Sequence, residues 1–312
     1  MNNRREFLQQ LGALAAVSAL PTMAFAQPAK PLFFDISLAE WSVHKAIFSK
    51  QLSNLDFPAK AKKDFGISIV EYVNTCFFDA TNDFKTNGKN QTYLKELLKR
   101  CNDNGVSNHL IMCDAEGEIG NLDEKKRIEC VENHYKWVEA AKFLGCKTIR
   151  VNAAGKGTAD EVKSAAVDGL GRLSEFAAKV GINIIVENHG GYSSNGQWIS
   201  SVMKQVNMKN CGTLPDFGNF CIKRTPTGCD ESYDRYLGTS EMMPFAKGVS
   251  AKTNDFDASG NETEKDYARL LKIVKDANFK GIIGIEYEGN RLSEDEGIKA
   301  TKVLLERIGA GM

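Results

Sequence analysis

The sequence predicts an α/β fold and, within that class, a single-domain (β/α)₈ TIM barrel. Short apolar runs recur eight times along the chain, and longer segments with helical periodicity and charged faces lie between them. Several helical segments stop at a glycine just before the next apolar run, as at Gly105, Gly145 and Gly181. Alternation of strand and helix over roughly 275 residues is typical of this barrel, whose active site lies at the carboxyl ends of its strands.

The strands are expected where Ile, Val, Leu or Phe cluster, at residues 32–37, 67–73, 107–113, 147–152, 182–187, 211–216, 247–252 and 281–286. Helical segments between them include residues 93–100, 135–143 and 267–274. A doubly wound open sheet would show the same alternation, but no Gly-x-Gly-x-x-Gly turn follows the first strand. No linker rich in Pro, Ser or Gly divides the chain, so we expect one domain.

The N-terminus carries the parts of an export signal in order. The paired arginines Arg4 and Arg5 precede an apolar run over residues 11–25, and Ala24-Phe25-Ala26 forms a cleavage pattern. We therefore expect a twin-arginine signal peptide over residues 1–26 and a mature barrel over residues 27–312. The protein would be exported already folded to the periplasm or another extracytoplasmic compartment. The apolar run is too short to span a bilayer comfortably, so no stable membrane span is expected after processing.

Composition limits the function classes. The chain has 40 acidic and 40 basic residues and no long basic stripe, which gives no electrostatic reason to expect a nucleic-acid partner. No Cys-x-x-Cys zinc pattern occurs among the eight cysteines, and most of them lie in predicted strands or helices, where buried thiols are usual. Cys221 and Cys229 bracket a loop and are the one pair considered for a disulfide, a question that the sequence leaves open.

Three apolar strands in the second half of the chain end in an acid: Glu187, Asp216 and Glu286. An acid past a single strand is often a helix cap or a surface group. Three at matching positions in a barrel converge on one mouth, where buried charge needs a cation or a hydrogen-bonding ligand. The sequence therefore predicts a divalent metal site formed by these three carboxylates.

The motifs around these acids resemble those of the xylose-isomerase-like TIM barrels, the sugar phosphate isomerase/epimerase group. They are Val186-Glu187-Asn188-His189-Gly190-Gly191, Pro215-Asp216-Phe217-Gly218-Asn219, Ser250-Ala251-Lys252 and Ile285-Glu286-Tyr287-Glu288-Gly289. The resemblance implies a divalent cation, commonly manganese, magnesium, cobalt or zinc, held by Glu, Asp, His and Glu from strands five to eight. It assigns Glu187, Asp216 and Glu286 as ligands.

Two positions depart from that pattern. Ser250 stands at the position of the family's histidine ligand, and Asn219 stands where the epimerases often have another histidine. We expect Ser250 as the fourth ligand and Asn219 as a substrate-binding residue. A site of carboxylates, hydroxyl and water favours Mg²⁺ or Mn²⁺ over Co²⁺ or Zn²⁺.

Further substrate-binding residues are expected around the ion: His189 after strand five, Lys252 and Arg150 at the ends of strands seven and four, and Trp41 and His44 after strand one. Each has a structural alternative. Lys252 and Arg150 would serve equally in salt bridges, Trp41 in the core, and His189 as a hydrogen-bonded imidazole.

These features predict a metal-dependent sugar isomerase or epimerase that abstracts a proton next to a carbonyl, with Glu187 and Glu286 as the acid and base. Without a phosphate-cradling motif, a small non-phosphorylated sugar or keto-sugar is the expected substrate. A lyase or hydratase acting on 3-keto sugars or glycosides is the enzymatic alternative, and a noncatalytic carbohydrate-binding barrel is the other. A homo-oligomer is compatible with the sequence, which does not decide the oligomeric state.

Overall fold

The computed structural model describes residues 31–312, and the predicted signal peptide lies outside these described residues. Eight parallel strands form one sheet in the order β6-β5-β4-β3-β2-β1-β8-β7. They are β1 Asp35–Ala39, β2 Ile69–Val73, β3 Ser107–Met112, β4 Thr148–Val151, β5 Asn183–Glu187, β6 Cys211–Leu214, β7 Val249–Thr253 and β8 Ile282–Tyr287. The order is that of a barrel and not of a doubly wound sheet, because neighbours in sequence are neighbours throughout and β8 pairs with β1.

The outer strands β6 and β7 meet at two isolated parallel bridges, Thr213 with Ala246 and Asp216 with Ser250. Backbone hydrogen bonds run across this join from the N–H of Lys247 to Thr213 (3.0 Å), from the N–H of Ser250 to Pro215 (2.9 Å) and from the N–H of Phe217 to Ser250 (3.1 Å). We call this join the β6–β7 seam. It closes the sheet into the predicted single-domain TIM barrel.

Within residues 31–312, ten α-helices connect or follow the strands. They are α1 His44–Phe48, α2 Phe57–Phe65, α3 Phe84–Asn87, α4 Gln91–Asp103, α5 Glu124–Leu144, α6 Ala159–Ala178, α7 Gly196–Val206, α8 Arg235–Met242, α9 Tyr267–Asp276 and α10 Glu294–Ala310. Local chemistry fixes their ends. Thr158 and Ser293 form capping boxes at the starts of α6 and α10, and α5 ends at Gly145 with a φ of 81°, a left-handed conformation that favours glycine.

Two sequence predictions need correction. The first strand begins at Asp35 rather than residue 32, because Leu32 and Phe34 pack beside Gly309 of α10 instead of joining the sheet. The segment bracketed by Cys221 and Cys229, expected as a loop, belongs to an antiparallel hairpin of Cys221–Thr225 and Gly228–Ser232, which α8 follows. We call this the Cys221 hairpin. A disulfide joins Cys221 to Cys229, with 5.9 Å between their Cα atoms.

The core lies inside the barrel and between its strands and helices. Trp137 of α5 and Tyr72 of β2 are fully buried in it. His109 and His134 are buried, as expected of structural histidines, and burial lowers the pKa of His109 to about 4. Among residues 31–312, no helix combines the length and apolar character needed to cross a membrane.

Candidate active site

The three predicted acids meet at the carboxyl-terminal mouth of the barrel. Glu187 is the last residue of β5, Asp216 lies two residues beyond β6, and Glu286 lies near the end of β8. One carboxylate oxygen from each lies within 4.8 Å of the others, and all three side chains are buried. We call these residues the acid triad. Parallel strands bring their carboxyl ends to one edge, which explains why residues about 30 to 100 positions apart converge here.

Asp216 is held in place mainly by backbone groups. Its Oδ1 accepts hydrogen bonds from the N–H groups of Gly218 (2.7 Å) and Asn219 (2.8 Å). The side chain of Asn188 fixes its main chain, accepting from the Asp216 N–H at 2.7 Å and donating to its carbonyl at 2.9 Å. The carboxylate is therefore positioned before any ligand arrives. Burial raises its pKa to about 6, although Lys252 acts in the opposite direction.

Ser250, the predicted fourth ligand, lies between two acids of the triad. Its Oγ is 2.7 Å from Asp216 Oδ2 and 2.9 Å from Glu286 Oε2. A hydroxyl has one proton and can donate it to one of these carboxylates at a time. The other short oxygen contact then needs a further proton or a cation. This cluster of oxygens consequently fits a hard divalent ion.

Lys252 is buried against the same acids. Its Nζ lies 2.7 Å from Glu286 Oε1, 3.7 Å from Asp216 Oδ2 and 3.2 Å from Glu288 Oε1. Although burial alone would raise the pKa of Glu286, the ammonium and the hydrogen bonds from Lys252 and Ser250 lower it. Glu286 is thus kept charged inside the barrel mouth.

Arg150 forms an ion pair with Glu187, as Lys252 does with Glu286. Its Nε is 2.9 Å from Glu187 Oε2, and its terminal nitrogen donates to Asp114 Oδ1 at 2.6 Å. Burial raises the pKa of Glu187 well above its ordinary value even though this guanidinium opposes the change. Asn219 donates to the other oxygen of Glu187 at 3.2 Å. Arg150 and Asn219, both predicted to bind substrate, therefore contact Glu187 of the triad. A contact with substrate would be a second role for each.

Sequence reasoning missed Asp114 and the contact of Glu288. Asp114 follows β3, and its position two residues past an apolar strand is the same signal that identified the triad. Counting these two, five acids face only Arg150 and Lys252 in this cluster, which leaves three negative charges when all of them are ionised. That excess supports a cation site formed by the acid triad and Ser250.

The remaining predicted residues are Trp41, His44 and His189. Trp41 and His44 stack on each other beyond β1, with ring centroids 4.6 Å apart, and His44 Nδ1 lies 2.6 Å from the Trp41 carbonyl. His189 is an exposed residue whose backbone N–H donates to Ser193 Oγ at 3.0 Å. None of the hydrogen bonds or ion pairs found in residues 31–312 joins these three side chains to the triad.

Two cavities lie at the mouth of the barrel, lined by segments that follow its strands. The first has a volume of ≈ 440 Å³ and is walled by polar groups that include Asn219, Lys252 and Glu288. The second has a volume of ≈ 590 Å³ and has both polar and apolar walls, among them His189, Tyr192 and Ile222. We call them the polar cavity and the mixed cavity.

Comparison with known proteins bears on the family and the fold. Residues 59–307 match the family described as xylose isomerase-like TIM barrel. No curated protein matches the chain at the threshold applied.

Among solved structures, the IolI protein with a bound zinc atom is similar with a TM-score of 0.66 at 17% identity, covering 89% of this chain and 99% of its own. D-psicose 3-epimerase in the presence of D-fructose gives 0.64 at 12% identity, covering 89% and 100%. A xylose isomerase-like TIM barrel protein from Mycobacterium smegmatis, in complex with magnesium, gives 0.62 at 13% identity, covering 89% and 97%. At these identities the likeness shows the fold.

Proposed function

This chain belongs to the xylose isomerase-like TIM barrel family, and from that premise we propose that it is a divalent-metal-dependent sugar isomerase or epimerase. The observation that carries the proposal is the convergence of three buried carboxylates, with oxygens within 4.8 Å, on the catalytic face of the barrel. The sugar epimerase among its structural relatives supports the same reaction class.

Glu187, Asp216, Glu286 and Ser250 would hold the ion. All four donors are oxygens, which favours Mg²⁺ or Mn²⁺ over Co²⁺ and Zn²⁺. Relatives solved with zinc and with magnesium support a metal in this fold without deciding its identity. When bound, such an ion polarises a sugar carbonyl and makes the neighbouring C–H group acidic.

The chain's own residues then move the proton. Glu187 and Glu286 extend from β5 and β8, on different sides of Asp216, so one can accept a proton from a substrate carbon while the other returns one. Arg150 and Lys252 each contact one of these glutamates and offset the charge that it carries. Lys252 also forms part of the polar cavity wall, where its ammonium can stabilise negative charge developing on a substrate oxygen.

A β-elimination by the same proton abstraction is the second candidate. The specific observation is the ammonium of Lys252 in the polar cavity wall, since this group can give a proton to a departing oxygen substituent. A lyase or hydratase acting on a 3-keto sugar would use the same residues. The two candidates differ in whether the substituent next to the abstracted proton remains on the product.

The test is deuterium incorporation from heavy water, followed by NMR with a panel of keto-sugars and 3-keto glycosides. The wild type should place deuterium at the carbon next to the carbonyl, and the products distinguish epimerisation from elimination. Metal-loaded Glu187→Gln and Glu286→Gln should lose about 10²–10⁴-fold in exchange rate. Glu306→Gln, an exposed substitution in α10, is the matched control. Binding of sugars without any exchange or turnover would instead indicate a noncatalytic carbohydrate-binding barrel.

Export through the twin-arginine route is proposed as well. The paired Arg4 and Arg5 carry this proposal, and the Cys221–Cys229 disulfide supports it because such bonds persist in oxidising compartments. Replacing both arginines with lysine should retain the precursor in the cytoplasm. Normal appearance of that variant outside the cytoplasm would contradict the proposal.

A further inference from the structure

The two cavities at the barrel mouth are lined by different segments of the chain. The polar cavity is formed by segments after β6, β7 and β8, and its wall includes Asn219 and Lys252, which contact Glu187 and Glu286. The mixed cavity is formed by segments after β3, β4 and β5 and by the Cys221 hairpin, and its wall includes His189, two residues beyond Glu187. Residues beside Glu187 therefore line both cavities, Asn219 the polar one and His189 the mixed one.

The Cys221 hairpin contributes to both walls. Arg224 lines the polar cavity, whereas Ile222, Lys223 and Glu231 line the mixed cavity. The disulfide joins the two strands of this hairpin beside these residues. The second strand, Gly228–Ser232, is exposed along its whole length, so its position does not depend on the barrel core.

Size argues for a ligand larger than one sugar ring. Ligand pockets typically measure about 300–1,000 Å³, and each cavity falls in that range by itself. A monosaccharide bound against the triad would occupy one cavity and leave the other to water.

The charges of the cavity walls argue for a neutral ligand. In the polar cavity three cationic side chains face three acidic ones: Arg224, Lys252 and Lys265 against Asp255, Glu264 and Glu288. In the mixed cavity Lys156 and Lys223 are balanced by Glu118 and Glu231. Neither wall has the cationic excess that a phosphate group would need.

The walls also differ in character. The polar cavity offers donors and acceptors suited to the hydroxyl groups of a sugar ring. The mixed cavity adds apolar surface from Ile222 and the ring of Tyr192, whose hydroxyl is anchored to the Gly157 carbonyl at 2.9 Å. A second sugar ring presents this combination, with an apolar C–H face and a polar edge.

We propose that the substrate is an uncharged disaccharide whose reacting ring lies in the polar cavity and whose second ring lies in the mixed cavity. This inference rests on the proposed function, because the acid triad defines which ring reacts. It adds that recognition extends across the Cys221 hairpin to residues after β3, β4 and β5.

The experiment measures binding of α- and β-linked disaccharides and their 3-keto forms, each beside its methyl monosaccharide, to the metal-loaded mature protein by titration calorimetry. At least one disaccharide should bind about tenfold or more tightly than its matched monosaccharide. Ala154→Trp, an exposed substitution that fills the mixed cavity, should abolish this preference and leave monosaccharide binding unchanged. Ile222→Trp should have the same effect, and it replaces Ala154→Trp in the test if that variant misfolds.

Thr227→Trp is the matched control, since Thr227 lies at the hairpin tip and is not among the residues lining either cavity. It should leave the preference intact. Equal binding of every disaccharide and its monosaccharide, or a preference that survives both cavity-filling variants, would overturn the inference. Failure of the proposed function is separate, because it would appear as absence of deuterium exchange with every sugar, whichever cavity binds it.

Discussion

Two sets of buried acids have different partners: Glu40 and Glu71 in the first half of the barrel, β1–β4, and the acid triad in the second half, β5–β8. In the first half, Glu40 accepts from Asn54 (2.7 Å) and from the Val73 N–H (3.0 Å), and Glu71 accepts from Ser37 (2.5 Å). These donors are neutral. Burial therefore dominates, and it raises the pKa of Glu40 to about 8 and that of Glu71 to about 7.

At the acid triad, an ammonium and a guanidinium group contact the carboxylates in addition to neutral donors. Lys252 lowers the pKa of Glu286 against the effect of burial, and Arg150 faces Glu187 from β4. The contrast shows that burial alone does not decide the charge of an acid. At Glu286 the ammonium of Lys252 outweighs burial and lowers the pKa, whereas at Glu187 burial outweighs the guanidinium of Arg150 and raises the pKa, as it does at Glu71 with its neutral donor.

The largest loss of activity is expected on substitution of Asp216, a candidate metal ligand of the acid triad. Asp216→Asn keeps an acceptor for the Gly218 and Asn219 N–H groups but removes the charge next to Ser250. Loss of the metal would remove several kcal/mol of transition-state stabilisation, so exchange activity should fall by at least about 10³-fold. Metal titration should show lost affinity in a folded protein. The exposed Asp276→Asn is the control, and unchanged metal affinity in Asp216→Asn would refute the ligand assignment.

The second prediction concerns stability. Arg150→Met should lower the free energy of unfolding by about 3–5 kcal/mol, because it leaves the buried Glu187 and Asp114 without their cation. Urea denaturation measures this loss. Adding Glu187→Gln to the same chain should restore part of it, since one of the uncompensated charges is then removed. A double variant no more stable than the single one would show that Arg150 acts through packing instead.

The third prediction uses the raised pKa of Glu71. Since the folded pKa is about 7 and the ordinary value is 4.5, folding favours the protonated acid. Its stabilising contribution is complete below pH 4.5 and is lost as the pH rises through 7. In metal-free protein, Glu71→Gln should therefore gain about 3 kcal/mol relative to wild type between pH 4.5 and pH 8. Parallel unfolding curves of the two proteins across this range would contradict the assignment.

The smallest effect is expected at the Cys221 hairpin. Reduction of a bridge across 8 residues should cost about 2 kcal/mol or less, because the constrained loop is short and the second strand is exposed. The other described cysteines are free and buried, so a mild reductant acts on this bond. Urea denaturation with and without reductant measures the change, with the Cys221→Ser, Cys229→Ser double variant as control. Complete unfolding on reduction would show that the hairpin belongs to the core.

The repeating pattern of strands and helices predicted the barrel because its signals are local: apolar runs, helical periodicity and glycine stops. The acid triad was predictable for a related reason, since each member closes an apolar strand and the barrel brings such ends together. Asp114 carries the same strand-end signal, but neither the partner of Asn188 nor that of Asp114 could be predicted in this way. Their partners, Asp216 and Arg150, lie 28 and 36 residues away, and only the register of neighbouring strands brings them within hydrogen-bonding distance.

The environment of Glu71 could not be predicted from local sequence patterns either. Its carboxylate lies so close to Gly284 of β8 that a Cβ atom there would approach its oxygens at 2.7 Å. Glycine at position 284 is thus explained by a side chain 213 positions earlier in the chain. The sequence shows a glycine inside a strand but not the acid that requires it.

The β6–β7 seam has a consequence for how the protein opens. Across it, the amides of Lys247, Ser250 and Phe217 are the donors of the bridging backbone hydrogen bonds, and Ser250 and Asp216 are also groups of the candidate metal site. Separation of β6 from β7 at the seam would therefore open the barrel and disrupt the candidate metal site together. An ion held by these acids would raise the free energy of that separation. If the proposed metal site is correct, amide hydrogens at these positions should exchange with solvent more slowly after metal is added, so their exchange would report whether the site is filled.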